Sequence, residues 1–254
     1  MNMRRSIVLL SALGALSGAA FAEETRIDVR VLSHDAKFIG SGMGGVLAKL
    51  ADADTGEVLA EGVITGTTGD TDRLMKTPRA RNFTLSTPDA AVFHASIDID
   101  EPRLVELTLY GPLAQRQSAA RISITRWVLP GKHLTDGDGW LVEMPGLAVD
   151  VLEPAAGGRT KVGDEIILSA NVVMMCGCPF TRSGLWDAHK LEVVASIKQN
   201  GEQVKIVPLE PTDEASRFSA RFTAGSRGAY EVAVTAFDPA SGNAGADFSA
   251  ITVE

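Results

Sequence analysis

The densest set of reactive side chains in the chain is Met174-Met175-Cys176-Gly177-Cys178-Pro179-Phe180, followed by Trp186-Asp187-Ala188-His189. Two thiols one residue apart, a flanking thioether and an imidazole further along make a soft donor set. Thiolate and thioether sulfur favour Cu(I), so Cys176, Cys178, His189 and Met175 are the expected ligands of a copper ion. Zinc is the second choice, because two cysteines and one histidine leave a coordination position open. Alternation selects between the methionines. Met174 continues the row Ile166, Leu168, Ala170 and Val172, whereas Met175 belongs with Ile167, Ser169, Asn171 and Val173, a mixed row expected to face outward.

Two other readings fit the same residues. The thiols of Cys-Gly-Cys would exchange with a partner thiol in an oxidising compartment. Alternatively they close a tight local disulfide that only stiffens the loop, and so small a ring removes little chain entropy. Trp186 is expected to pack as core or to cover the loop. Elsewhere no Gly-x-Ser-x-Gly elbow or His-Glu-x-x-His pair joins a nucleophile to a base, so no enzyme is expected. Gly40-Ser41-Gly42-Met43-Gly44-Gly45 precedes a strand instead of opening a helix, and is read as a flexible turn. Asp136-Gly137-Asp138-Gly139 lacks the full calcium-loop pattern and its closing Glu, and is read as a hairpin turn. His34, His94 and His133 are read as solvated.

The elements that must position these donors follow from the rest of the chain. It opens with Arg4 and Arg5, an apolar run over residues 7–16, and small residues ending in Ala20-Phe21-Ala22. That is the pattern of a signal peptide, residues 1–22, cut after Ala22. The run is shorter than the ~20 residues that span a bilayer, and no second run of that length follows. No membrane insertion is expected after cleavage, with the periplasm as the location and secretion as the second choice. The sequence holds 24 Lys plus Arg against 32 Asp plus Glu, and without Arg4 and Arg5 the balance is 22 against 32. So acidic a chain disfavours nucleic-acid phosphates. With two cysteines in all, a disulfide scaffold is excluded.

Period-two alternation dominates, so the fold class is all-β: two tandem β-sandwich domains. Ile27, Val29 and Val31 share one face, as do Val46, Ala48 and Leu50 ahead of a turn at Asp54-Thr55-Gly56 and a return through Val58 and Ala60. Further inward rows are Phe93, Ala95, Ile97 and Ile99, then Val105, Leu107 and Leu109, then Ile122 and Ile124. Residues 65–82 are rich in Gly, Thr, Asp and Arg without a period, which reads as a long exposed loop. Pro145-Gly146 separates a first domain, 23–146, from a second, 147–254. In the second, the rows are Leu191, Val193, Ala195 and Ile197, then Val204 and Ile206 after an Asn200-Gly201 hairpin turn, then Phe218, Ala220 and Phe222, then Tyr230, Val232 and Val234.

The stretch Gly228-Ala229-Tyr230-Glu231-Val232-Ala233-Val234-Thr235-Ala236-Phe237-Asp238, with Gly242-Asn243-Ala244 and Ile251-Thr252-Val253, resembles the last two strands of bacterial immunoglobulin-like domains. The resemblance covers the second half and implies an immunoglobulin-like sandwich with Tyr230 as its corner tyrosine. Gly45-Val46-Leu47 with Asp54-Thr55-Gly56-Glu57-Val58-Leu59-Ala60 more weakly resembles the transthyretin-like or carboxypeptidase-regulatory sandwiches. The expected function is therefore a periplasmic binding or accessory module holding a soft metal, serving an unidentified periplasmic protein. The alternatives are a structural or interaction module with a loop disulfide, and a thiol-disulfide exchange partner.

Overall fold

The computed structural model describes residues 22–254. The expected leader, residues 1–22, lies outside the described residues apart from Ala22. The first sandwich holds β1 (Glu23–Ser33), β2 (Val46–Asp52), β3 (Val58–Ile64), β4 (Phe93–Ile99), β5 (Arg103–Gly111), β6 (Ala120–Val128) and β7 (Trp140–Met144). Its two sheets run β4-β1-β7 and β3-β2-β5-β6. The second sandwich holds β8 (Leu147–Glu153), β9 (Gly158–Thr160), β10 (Glu165–Met174), β11 (Glu192–Gln199), β12 (Glu202–Pro208), β13 (Glu210–Pro211), β14 (Arg217–Thr223), β15 (Gly228–Phe237) and β16 (Ala244–Val253). Its sheets run β13-β14-β10-β8 and β12-β11-β15-β16-β9, and no sheet mixes strands from the two sides of Pro145-Gly146.

In the first sandwich the alternating rows of β1, β2, β4 and β5 point inward, and Ile27, Val29, Val46, Leu50, Leu107 and Leu109 are fully buried. Ile124, also expected in the core, is 44 % exposed. It pairs with Leu107 on the inner face, but the three-stranded sheet opposite is one strand narrower and leaves the middle of β6 uncovered, while Val128 at its end is buried. Residues 65–82 are more ordered than their composition suggests. They include a short helix, α1 (Thr71–Met75), whose N-cap Asp70 accepts the Arg73 N–H at 2.7 Å and whose Leu74 is buried. The Asp138 carboxylate accepts N–H bonds from Leu85 and Ser86, so the Asp-Gly-Asp-Gly turn pins the chain just beyond this segment.

The turn between β2 and β3 is built around Asp52, whose Oδ1 accepts from the N–H of Thr55 at 2.8 Å and of Asp54 at 3.0 Å. Its Oδ2 meets Arg103 Nη1 at 3.1 Å. The Thr55 N–H first, and the Arg103 guanidinium next, hold the Asp52 carboxyl down to about 2. A carboxylate with a depressed folded-state pKa stabilises the fold above its unfolded value, about 4, and that contribution is lost as pH falls toward 2. The Asp52 carboxyl should therefore titrate by NMR with a midpoint near 2, and Asp52→Asn should blunt the acid sensitivity of stability in that window. An unchanged acid limb in the variant would rule this out.

The strand order of the second sandwich is that of an immunoglobulin-like domain: β8, β10, β14 and β13 take the places of strands A, B, E and D in one sheet, and β11, β15 and β16 those of C, F and G in the facing one, with β12 and β9 at its edges. Tyr230, at the start of β15, is buried and donates its hydroxyl to the Ser226 carbonyl at 3.0 Å, the corner geometry expected. Asn200 and Gly201 adopt φ of +50° and +87°, as a two-residue hairpin turn requires. One row is corrected. Val204 and Ile206 were expected to face the core, yet they are 51 % and 56 % exposed while Val207 is buried. The pairing of β11 with β12 shifts between Ile197 and Lys198, and a one-residue shift moves a strand's side chains to its opposite face.

Candidate functional site

The Cys-Gly-Cys segment forms a tight turn at the end of β10. The Gly177 N–H donates to the Met174 carbonyl at 2.7 Å and the Met174 N–H to the Cys178 carbonyl at 3.1 Å. Gly177 sits at φ +80°, a conformation that glycine adopts without Cβ strain. Cys176 and Cys178 are joined as a disulfide with Cα atoms 5.5 Å apart. The chain beyond is tied to the turn before β14, because the Phe180 N–H donates to Ser216 Oγ at 3.1 Å and the Ser216 N–H to the Phe180 carbonyl at 2.8 Å.

This turn lies where the two sandwiches meet. Cys176 and Cys178 belong to the second core, at 3 % and 5 % exposure. Met175, the residue before them, is 1 % exposed and packs in the first core with Ala148. The expectation that Met175 faces outward is thus corrected. The mixed row of β10 does leave the second core, but at its Met175 end the first sandwich docks on it. Across the joint, a Cβ on Gly177 would come within 2.9 Å of Met43 Sδ, so the Ser41–Met43 turn rests against the disulfide loop. The glycine-rich stretch read as a flexible turn is therefore one wall of the joint.

Polar contacts complete it. The loop after β1 projects from the first sandwich, with Asp35 at φ +55° and Ala36 buried in the second core. Trp186 Nε1 donates to the Asp35 carbonyl at 3.0 Å, and Asn243 Nδ2 to the His34 carbonyl at 3.0 Å. Asn243 Oδ1 accepts the Gly146 N–H at 2.8 Å, so one buried amide holds both the projecting loop and the interdomain link. On the other side, Ser118 and Gln117 bond the Val149 backbone and cap the edge of β8.

Beside the joint is a cleft of about 580 Å³, lined in part by His34, Asp35, Leu74, Arg79, Glu143 and Ser241. His34 Nδ1 lies 3.0 Å from Glu143 Oε1. Partial burial, then the Asp238 and Glu143 carboxylates, raise the Asp35 carboxyl, against the opposite pull of His34 and Arg79. The Ser241 hydroxyl donates to Asp238 Oδ2 at 2.6 Å, as part of the turn before β16.

The four donors expected to hold copper are not brought together. His189 is exposed in the Ala188–Lys190 turn, where Asp187 accepts its N–H at 3.0 Å. That backbone bond is the main cause holding the Asp187 carboxyl below its ordinary value. Among the described residues, no group of three or more His, Cys, Asp or Glu has metal-holding geometry. His94, expected in solvent, is exposed but lies 2.7 Å from Asp28 Oδ1, and His133 Nδ1 accepts the Arg26 N–H at 3.2 Å. Reading by residue type passed over Asn243, Asp35 and Met43. The signals present were the polar pair His34-Asp35 directly after the apolar strand β1, and Gly242-Asn243, which the resemblance to immunoglobulin-like domains placed only near the last two strands.

No protein-family model matches the chain, and no curated protein matches it. Among solved structures, the chain is similar to the fibronectin(III)-like modules of Clostridium thermocellum CbhA, at 11 % identity over 91 % of this chain and 94 % of that one, with a TM-score of 0.29. It is also similar to a chimeric titin Z1Z2 tandem, at 10 % identity over 92 % of each, with a TM-score of 0.26. Half of the chain matches an engineered protein at 18 % identity and a TM-score of 0.32, spanning 24 % of that protein's length. The fold assignment rests on strand order and the Tyr230 corner.

Proposed function

We propose that the chain is an exported interaction module: two sandwiches locked into one body, whose exposed loops and sheet faces engage a periplasmic partner. The observation that supports it is the buried Cys176–Cys178 disulfide, which ties up both thiols in a turn of the second core that abuts Met43 of the first sandwich. The competing reading, Cu(I) held by Cys176, Cys178 and His189, requires the pair to be reduced and the joint to open. Protein purified from the periplasm, and beginning at Glu23, should yield no free thiol either native or denatured. After reduction it should compete poorly with a Cu(I) chelator. Tight binding of one Cu(I) per chain by reduced protein, lost in a Cys176→Ser, Cys178→Ser variant, would establish the copper reading instead.

A further inference from the structure

The first sandwich is closed along one side and open along the other. On the closed side, isolated bridges join Thr65 to Val92 and Thr67 to Ala90, and a Cβ on Gly62 would collide with the Phe93 ring. On the other side β7 pairs only with β1, and β6 only with β5. The His34 N–H donates to the Met144 carbonyl, so the backbone groups of Met144, Val142 and Trp140 address β1. Those of Leu141 and Glu143 point to the free edge. Beyond that edge lies the inner face of β6, where Ile122, Ile124 and Arg126 stand opposite the buried Leu109, Leu107 and Val105 of β5. Ile124 is 44 % exposed there. The Arg126 guanidinium lies 5.9 Å from the centre of the Trp140 ring, which sets this row beside β7. Among the described residues Arg126 forms no ion pair.

We propose that this corner accepts an extended segment of a partner protein as an added strand beside β7. The proposal rests on the reading of the chain as an interaction module and places one partner on it. Leu141 and Glu143 offer the segment their N–H and C=O groups, as an unpaired sheet edge does. A strand added at the ~4.8 Å spacing of a sheet lies over Ile122 and Ile124, so its inward residues are apolar. The inward residue nearest Arg126 is Asp or Glu, because a carboxylate there meets the guanidinium. Addition to the free edge of β6 would only widen the wider sheet and leave Ile124 bare. Nor does β7 of a second copy fit the place. Its inward Trp140, Val142 and Met144 are buried in its own core, and none is acidic.

The test uses the mature chain, residues 23–254, and a synthetic peptide that alternates valine with threonine and carries one glutamate in the valine row. Titration followed by amide hydrogen exchange should show saturable binding. The Leu141 and Glu143 amides, which exchange freely without peptide, should slow by about ten-fold or more at saturation. Ile124→Asp should weaken binding by about ten-fold with the melt unchanged, since the side chain is exposed in the free protein. Arg126→Glu should reverse the preference, so that a peptide with lysine in place of glutamate binds better. No saturable binding, or binding that Ile124→Asp leaves unchanged, would overturn the proposal. So would slow exchange at Leu141 and Glu143 in the peptide-free chain, which would mean that a second copy already covers the edge. Failure of the peptide alone removes this edge and leaves the module reading standing. Tight Cu(I) binding by reduced protein, lost in the Cys176→Ser, Cys178→Ser variant, removes the module reading itself.

Discussion

Met175→Ala is expected to lower the stability of the whole chain by about 2–5 kcal/mol, the cost of emptying a buried methionine site. For a chain of this size that is a fall in Tm of about 5–15 °C. The reason is position: Met175 leaves the second sandwich and fills space in the core of the first, at 1 % exposure. A surface ligand would behave differently, since substitutions at exposed sites stay within about 0.5 kcal/mol. Met175→Leu separates the two roles further. It keeps the volume and removes the thioether, so stability should drop by less than about 1.5 kcal/mol. A thermal melt of the two variants beside the parent decides the matter. Near-parental stability in Met175→Ala would mean that the sandwiches do not dock through this residue.

Asn243→Ala should cost nearly as much. Its side chain is 1 % exposed and makes two bonds that nothing else can replace in place, to the His34 carbonyl and from the Gly146 N–H. Truncation leaves both backbone groups without that partner inside the joint, at about 1–3 kcal/mol each. It also cuts the tie between the turn before β16 and the loop after β1, so the two sandwiches should begin to unfold separately. Urea unfolding followed by near-UV circular dichroism should change from one transition to two, and small-angle scattering should report a broader range of domain separations. A single transition with an unaltered midpoint would show that Asn243 contributes nothing to the joint.

The class of the fold was legible because a strand buried on one face repeats every second residue. Ile27, Val29 and Val31, or Tyr230, Val232 and Val234, reveal their shared side without any knowledge of neighbours. The Asn200-Gly201 turn was legible because so few residue pairs tolerate two positive φ angles. Val204 and Ile206 were misplaced for a reason that lies in the partner strand. A shift in pairing near Lys198 turns β12 over, and no feature of β12 itself records it. The helix over Thr71–Met75 is only five residues long, too short for a helical period to emerge from its polar surroundings.

By itself the sequence determined the chemistry on offer: two thiols, a thioether and an imidazole at or just beyond the end of one strand, within an acidic, all-β chain. Alternation placed Met174 in the second core, where it is fully buried. Only the tertiary structure decided what that chemistry is used for. It closes Cys176 on Cys178, buries Met175 in the first sandwich, sets Gly177 against Met43 and leaves His189 in an exposed turn. The physical reason is that a residue's alternation tells which face of its own strand it occupies. What docks on that face, and whether a soft ligand meets a metal or another core, depends on contacts between residues more than a hundred positions apart, such as those of Asp35 with Trp186 and His34 with Asn243.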